Sequence, residues 1–147
     1  VLKFLYPDAD IPVVQLSLNR LQPAQWHFNL AKKLAALREQ GVLIIGSGNI
    51  VHNLRAISWE HIDQIGAGYD WAYVFRDQIN HAMTTQNNDE LVHYEQFGEN
   101  AALSVPTPDH YLPLLYVMAL REPDEKVAFF NDHLIAGSLS MTSVLVG

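Results

Sequence analysis

Apolar positions along the chain fall into two kinds of pattern. Residues 11–18 (Ile-Pro-Val-Val-Gln-Leu-Ser-Leu) are β-branched and apolar, which predicts a strand. Trp26, Leu30, Leu34 and Leu37 recur at spacings of four, four and three, which predicts a helix over 23–40 with one apolar stripe. Pro23 suits its first position and Gly41 its C-terminal cap. Residues 42–46 form a short unbroken apolar run, the kind buried on both faces of a parallel sheet. Strand, helix and strand in this order make a βαβ unit with a right-handed crossover.

Further along, 52–59 reads as a short helical turn or loop. Residues 69–83 read as a helix with Ala72, Phe75 and Ile79 on one side. Residues 84–89 form a polar break, and 91–100 is ambiguous between states. The stretch 109–120 is apolar on nearly every side and predicts a buried helix, kinked or restarted at Pro113. Residues 127–130 and 139–146 predict two closing strands. There is no internal repeat or linker. The expected fold class is α/β: a central mixed, largely parallel sheet with helices on both faces, in a single domain.

Composition narrows the chemistry more than the fold. The 147 residues are 49% hydrophobic and 17% charged, which suits a packed core and argues against disorder. The formal net charge is −7 and no basic cluster exceeds Lys32-Lys33, so a nucleic-acid partner is not expected. No apolar run is long enough to span a bilayer as a helix, and no membrane partner is expected. No signal peptide is visible, so the cytoplasm is the expected location. The absence of cysteine excludes disulfides, thiolate metal sites and cysteine nucleophiles.

Two of the seven histidines stand beside strong punctuation. His52 follows the 42–46 run and the turn Gly46-Ser47-Gly48-Asn49, at what would be the carboxyl edge of the sheet, where α/β proteins gather ligands. Asn53 beside it is placed to orient a ring nitrogen or to bind substrate. His110 follows Thr107, a good N-cap, and opens the 109–120 helix. The positive end of that helix disfavours an imidazolium, and a neutral imidazole is the metal-binding form. The bland readings are a packing histidine in each case, and for the glycine turn a tight bend with positive φ in place of a phosphate cradle. Asp109 is either a carboxylate supporting His110 or an acid favouring the helix dipole. His27 lies beside the stripe residue Trp26. His61, His81 and His93 read as solvated, and His133 as a turn residue. Ser47 is not in a nucleophile elbow, and no Ser-His-Asp set can be assembled.

Longer stretches carry a resemblance. Tyr6-Pro7-Asp8-Ala9-Asp10-Ile11-Pro12-Val13-Val14-Gln15-Leu16-Ser17 and Trp26-His27-Phe28 resemble the class III extradiol dioxygenases of the DOPA 4,5-dioxygenase type, the LigB-like group. So do Gly46-Ser47-Gly48-Asn49-Ile50-Val51-His52-Asn53-Leu54-Arg55 and Pro106-Thr107-Pro108-Asp109-His110-Tyr111-Leu112-Pro113-Leu114-Leu115. The closing Gly137-Ser138-Leu139-Ser140-Met141-Thr142-Ser143 does too. The resemblance runs from end to end but covers only the C-terminal part of that family. The family's Gly-His-Gly-Ser-Pro and Ser-Ala-His-Trp motifs, each with a metal-binding histidine, do not occur here. The abrupt apolar start at Val1-Leu2 reads like the last turn of a helix begun elsewhere. Residues 1–147 are therefore expected to be the C-terminal portion of a single catalytic domain.

The resemblance implies that His110 is a metal ligand. It implies that His52 faces metal and substrate, as a ligand in zinc-bound forms or as the acid–base residue. The implied reaction opens a catechol ring, of a DOPA-like aromatic diol, with O₂. Fe(II) is the expected catalytic metal, because such oxygenases need open coordination positions. Zn(II) could occupy the same histidines without redox chemistry. Implied partners are a catechol-type small molecule, O₂, and a missing N-terminal segment or second chain; self-association is expected of the chain alone. The rival readings are an inactive fragment kept as a binding or assembly module, and a small-molecule hydrolase with an incomplete metal site.

Overall fold

The computed structural model describes residues 2–147. A short turn of helix, α1 (Leu2–Leu5), precedes a stretch without regular secondary structure. Then come α2 (Ala24–Lys32), α3 (Ala35–Arg38), α4 (Asp70–Thr84), α5 (Asn88–Val92), α6 (Glu99–Ser104) and α7 (Leu112–Met118). Four short strands close the chain: β1 (Val127–Phe130), β2 (Leu134–Ile135), β3 (Leu139–Ser140) and β4 (Ser143–Val146).

The core forms around α4. Ala72, Phe75, Ile79, Ala82 and Met83 are buried along its inner face, and α5 and α6 pack against it. Full burial of a residue such as Phe75 or Ile79 contributes about 1.5–3 kcal/mol relative to exposure. Phe75 meets Tyr94 edge-on, and Tyr94 leans on Tyr111 at 4.3 Å between ring centroids. The Tyr111 hydroxyl, fully buried, donates to the carbonyl of Leu91 at 3.0 Å, so its polar tip is satisfied. Burial raises the pKa of the Tyr94 phenol well above its ordinary value and also raises that of Tyr111. Residues 91–100, ambiguous in sequence, become the end of α5, a 3₁₀ turn at Tyr94–Phe97 and the start of α6.

The expected helix over 23–40 is split at Lys33-Leu34 into α2 and α3. Its buried face is also turned from the expected stripe. His27, Phe28 and Ala31 are buried against α7, whereas Trp26 is exposed and Leu30, Leu34 and Leu37 are half-buried. Burial of a histidine is tolerated because both ring nitrogens find partners. The Nε2–H donates to the carbonyl of Asn19 at 3.1 Å, and Nδ1 lies 2.9 Å from the Tyr116 hydroxyl. The C-terminal cap is as expected. Gly41 has φ +75°, its N–H donates to Arg38 and Val42 N–H donates to Leu37, a Schellman closure. Pro113 sits in the first turn of α7 and starts the helix without kinking it, since no N–H is needed there.

A central, largely parallel sheet is not present among the described residues. The ladders are antiparallel pairs, β1 with β4 and β2 with β3, and the one parallel pairing described is an isolated bridge between Gly68 and Gly137. Residues 11–18 and 42–46 form neither helix nor strand and have no ladder partners. A β pattern becomes a strand only when a neighbour takes its N–H and C=O groups, and the closing strands pair with one another instead. The apolar side chains of both segments consequently stand open: Val14 is 92% exposed and Leu43 63%. The expected closing strand over 139–146 is divided into β3 and β4 at Met141-Thr142. No helix among the described residues is long and apolar enough to cross a membrane.

Candidate active site

The segment that carries His52 is held by backbone contacts on every side. Gly46 and Gly48 are needed for close approach, not for positive φ, which neither adopts. A Cβ on Gly48 would lie 2.1 Å from the carbonyl oxygen of His110, and one on Gly46 would lie 2.6 Å from that of Pro113. The turn thus presses against the start of α7. It does not cradle an anion with the Asn49 amide, which donates to His110 O at 2.9 Å. Gly48→Ala should therefore displace His110 and destabilise the protein by about 1–3 kcal/mol or more, because backbone cannot yield as a side-chain tip can. Chemical denaturation measures this, and a wild-type midpoint would refute the close-packing account.

Ile50 and Val51 then enter the core, and His52 emerges half-buried. His52 N–H donates to the carbonyl of Ser104 at 2.9 Å, and the residue forms an antiparallel bridge with Leu139. Ser140 N–H donates to Val51 at 3.0 Å. Asn53 is buried, with its amide group committed. Nδ2 donates to Leu103 O at 2.7 Å, and Oδ1 accepts from Arg55 N–H at 3.1 Å, capping the 3₁₀ turn Leu54–Ala56. The Ser138 hydroxyl donates to Asn53 O at 2.8 Å.

His110 ends a separate 3₁₀ turn, Pro108–His110, immediately before α7. Thr107 makes no side-chain cap bond there. Instead a hydrogen bond from Thr107 is the largest influence holding the Asp109 carboxyl below its usual pKa. The imidazoles of His52 and His110, 58 residues apart in sequence, are stacked face to face, 3.6 Å between centroids and 13° from parallel. Asp109 Oδ2 lies 3.7 Å from His110 Nε2. Burial first, and the neighbouring His110 second, lower the pKa of His52, with Asp109 opposing them. His52 is therefore neutral, and a proton acceptor, at and above ordinary histidine pKa values.

The remaining histidines lie outside this pair. His27 is structural, as described above. His61 is half-buried with Nδ1 at 2.7 Å from Ser58 Oγ, while His81 and His93 are exposed and His93 pairs with Asp89. His133 lies in the turn between β1 and β2. No three His, Asp or Glu side chains among the described residues converge so as to hold a metal ion. Asn49 was not singled out by sequence reasoning, although its amide joins three segments. The available signal was a short polar side chain between a glycine turn and a buried apolar pair.

No protein-family model matches the chain. Several curated relatives are named 4,5-DOPA dioxygenase extradiol. The one from Escherichia coli (strain K12) is 46% identical over 150 residues, spanning 100% of this chain and 54% of the relative. The one from Beta vulgaris is 32% identical over 142 residues, 97% of this chain and 52% of the relative. The crystal structure of an uncharacterized protein from Escherichia coli K12 superposes with a TM-score of 0.87 at 44% identity, over 97% of this chain and 58% of that one. Sequence identity along the whole chain and a shared fold give one conclusion: this chain is homologous to proteins named 4,5-DOPA dioxygenase extradiol and spans about half the length of the curated relatives it matches.

Proposed function

We propose that the chain is the C-terminal portion of a non-haem, metal-dependent extradiol dioxygenase that opens a catechol-type ring with O₂. The observation that carries this reading is the stacked pair His52–His110, assembled from two distant motifs in a chain whose relatives are named for that activity. The donor set fits a metal in kind, two imidazoles, though stacked face to face their in-plane lone pairs do not meet at one ion. It is short in number, because metal sites in enzymes use three or more protein ligands. The other donors would come from the remaining half of a protein of the relatives' length, or from a second chain. His110 would hold the metal and His52 would face it. Fe(II) would supply open coordination positions for a catecholate and O₂, whereas Zn(II) in its place would supply no redox chemistry.

The protein's own contribution is proton handling and orientation. His52, kept neutral by its half-buried place, accepts a proton from a catechol hydroxyl and can later return one to a reacting oxygen. Asn53 serves this by anchoring the backbone on which His52 stands; with both ends of its amide engaged, direct substrate contact is the weaker role for it. The same remaining half would supply neighbours for residues 11–18 and 42–46, completing the mixed sheet with helices on both faces.

Coupled O₂ uptake and catechol loss, measured with Fe(II) in a protein of the relatives' full length containing this chain, test the reading. Hydrolysis with Zn(II) and no O₂ uptake would favour a hydrolase. A folded protein inert in both assays would favour an inactive binding module.

The lowered pKa of His52 gives a prediction with a definite sign. A depressed folded-state pKa means that the unfolded chain binds the proton more readily. The related stability is present above the unfolded value of 6.5 and is lost as pH falls through the folded value. Ring-proton titration by NMR should place His52 below 6.5, and His110→Ala should move its midpoint upward by removing the neighbouring charge. A midpoint that does not rise in the variant would contradict the assigned coupling.

A further inference from the structure

Asn49 stands where the two halves of the histidine pair are joined. Its backbone N–H donates to the carbonyl of His110 at 2.9 Å. Its side-chain Nδ2 donates to the carbonyl of Ser140 at 2.7 Å, across 91 residues of sequence. Ser140 returns its own N–H to Val51, and Leu139 bridges to His52. One residue therefore ties the His110 turn, the β3 strand and the His52 segment into a closed loop of hydrogen bonds. On the other flank Asn53 binds Leu103 in the same manner, and Ser104 holds His52 N–H. These bonds brace the backbone on both flanks of His52.

The pair needs such a device. Two imidazoles 3.6 Å apart gain little from one another, because neither buries the other fully and both side chains keep solvent access. Their registration must come from the backbones beneath them. Among the described residues the Asn49 amide is the only side-chain donor to the Ser140 carbonyl, and a single hydrogen bond of this kind contributes modestly to stability. That is small against the stability of a folded core. It is enough to decide between alternative rotamers of a half-exposed histidine.

We propose that Asn49 is a positioning residue for the His52–His110 pair: its side-chain amide, bonded to Ser140, holds the two imidazoles in register without touching either ring. The inference rests on the reading of this pair as the functional one, and it deepens that reading by naming the group that sets its geometry. Asp at this position keeps the size of Asn and loses the donor, facing a carboxylate to a carbonyl. Ala loses the donor and adds no charge.

The test is histidine-selective isotope labelling of the protein, with inter-ring NOE signals and ring-proton shifts as readouts. In the wild type, NOE signals connect the two imidazoles, and His52→Ala shifts the His110 ring protons by removing the stacked neighbour. In Asn49→Asp the expected results are loss of the inter-ring NOE, movement of the His110 protons toward their position in His52→Ala, and no further movement in the double variant. Cooperative thermal unfolding should be retained. Should Asn49→Asp fail to fold, Asn49→Ala is read in the same way. Persistence of the NOE and shifts in either folded variant would overturn the proposal. Failure of both variants to fold would also overturn it, since Asn49 would then serve the fold as a whole. Ring-opening activity is measured separately: a lost NOE together with an inert wild type would support the clamp while removing the dioxygenase reading.

Discussion

Replacement of His52 by alanine, in a protein containing this chain and the remaining half of its relatives' length, should slow catechol ring opening by about 10²–10⁴-fold. Catechol affinity should change little. The asymmetry follows from the proposed role, because a proton acceptor acts on the step that moves the proton and adds little to ground-state binding. His52 is suited to this in two respects. Its backbone is fixed by Ser104 and Leu139, so the ring is delivered to one place. Burial and the adjacent His110 keep it neutral. Turnover kinetics combined with anaerobic equilibrium binding separate the alternatives. A dissociation constant that rises as far as turnover falls would make His52 a binding group.

The second large effect concerns the chain alone, which should associate in solution. Ile11, Val13, Val14 and Leu16 on one segment, and Val42, Leu43 and Ile45 on the other, are exposed large apolar side chains. Covering a Val, Leu or Ile fully contributes about 1.5–3 kcal/mol, so together they offer on the order of 10 kcal/mol. That is comparable with the 4–15 kcal/mol lost on association, roughly estimated. Their backbones, without ladder partners, leave N–H and C=O groups open to pairing with a second chain and tip the balance. Light scattering should report species larger than a monomer. Val13→Lys with Leu43→Lys should shift them toward monomer by placing charge on both segments. A wild-type monomer that unfolds cooperatively would show that these segments need no cover.

How much of this was legible in the sequence depended on what each element needed in order to form. Helix α4 was legible because its apolar period and its burial depend on the same residues, Ala72, Phe75 and Ile79. The Gly41 cap was legible because a left-handed closure favours one residue type. The histidine motifs were legible as chemistry by their punctuation and their resemblance to a family. Other features were not local properties. The buried face of α2 was set by where Tyr116 and Asn19 could satisfy His27, which no spacing rule contains. Residues 11–18 and 42–46 carry strand patterns, yet a ladder requires a neighbour, and β1 to β4 satisfy themselves. The glycines at 46 and 48 read as turn formers, but what demands them is backbone packed within a Cβ radius. The meeting of His52 with His110 is likewise tertiary. It comes from hydrogen bonds between segments far apart in sequence, up to 91 residues, made through Asn49, Ser104 and Ser140, whose importance appears only when those segments lie side by side.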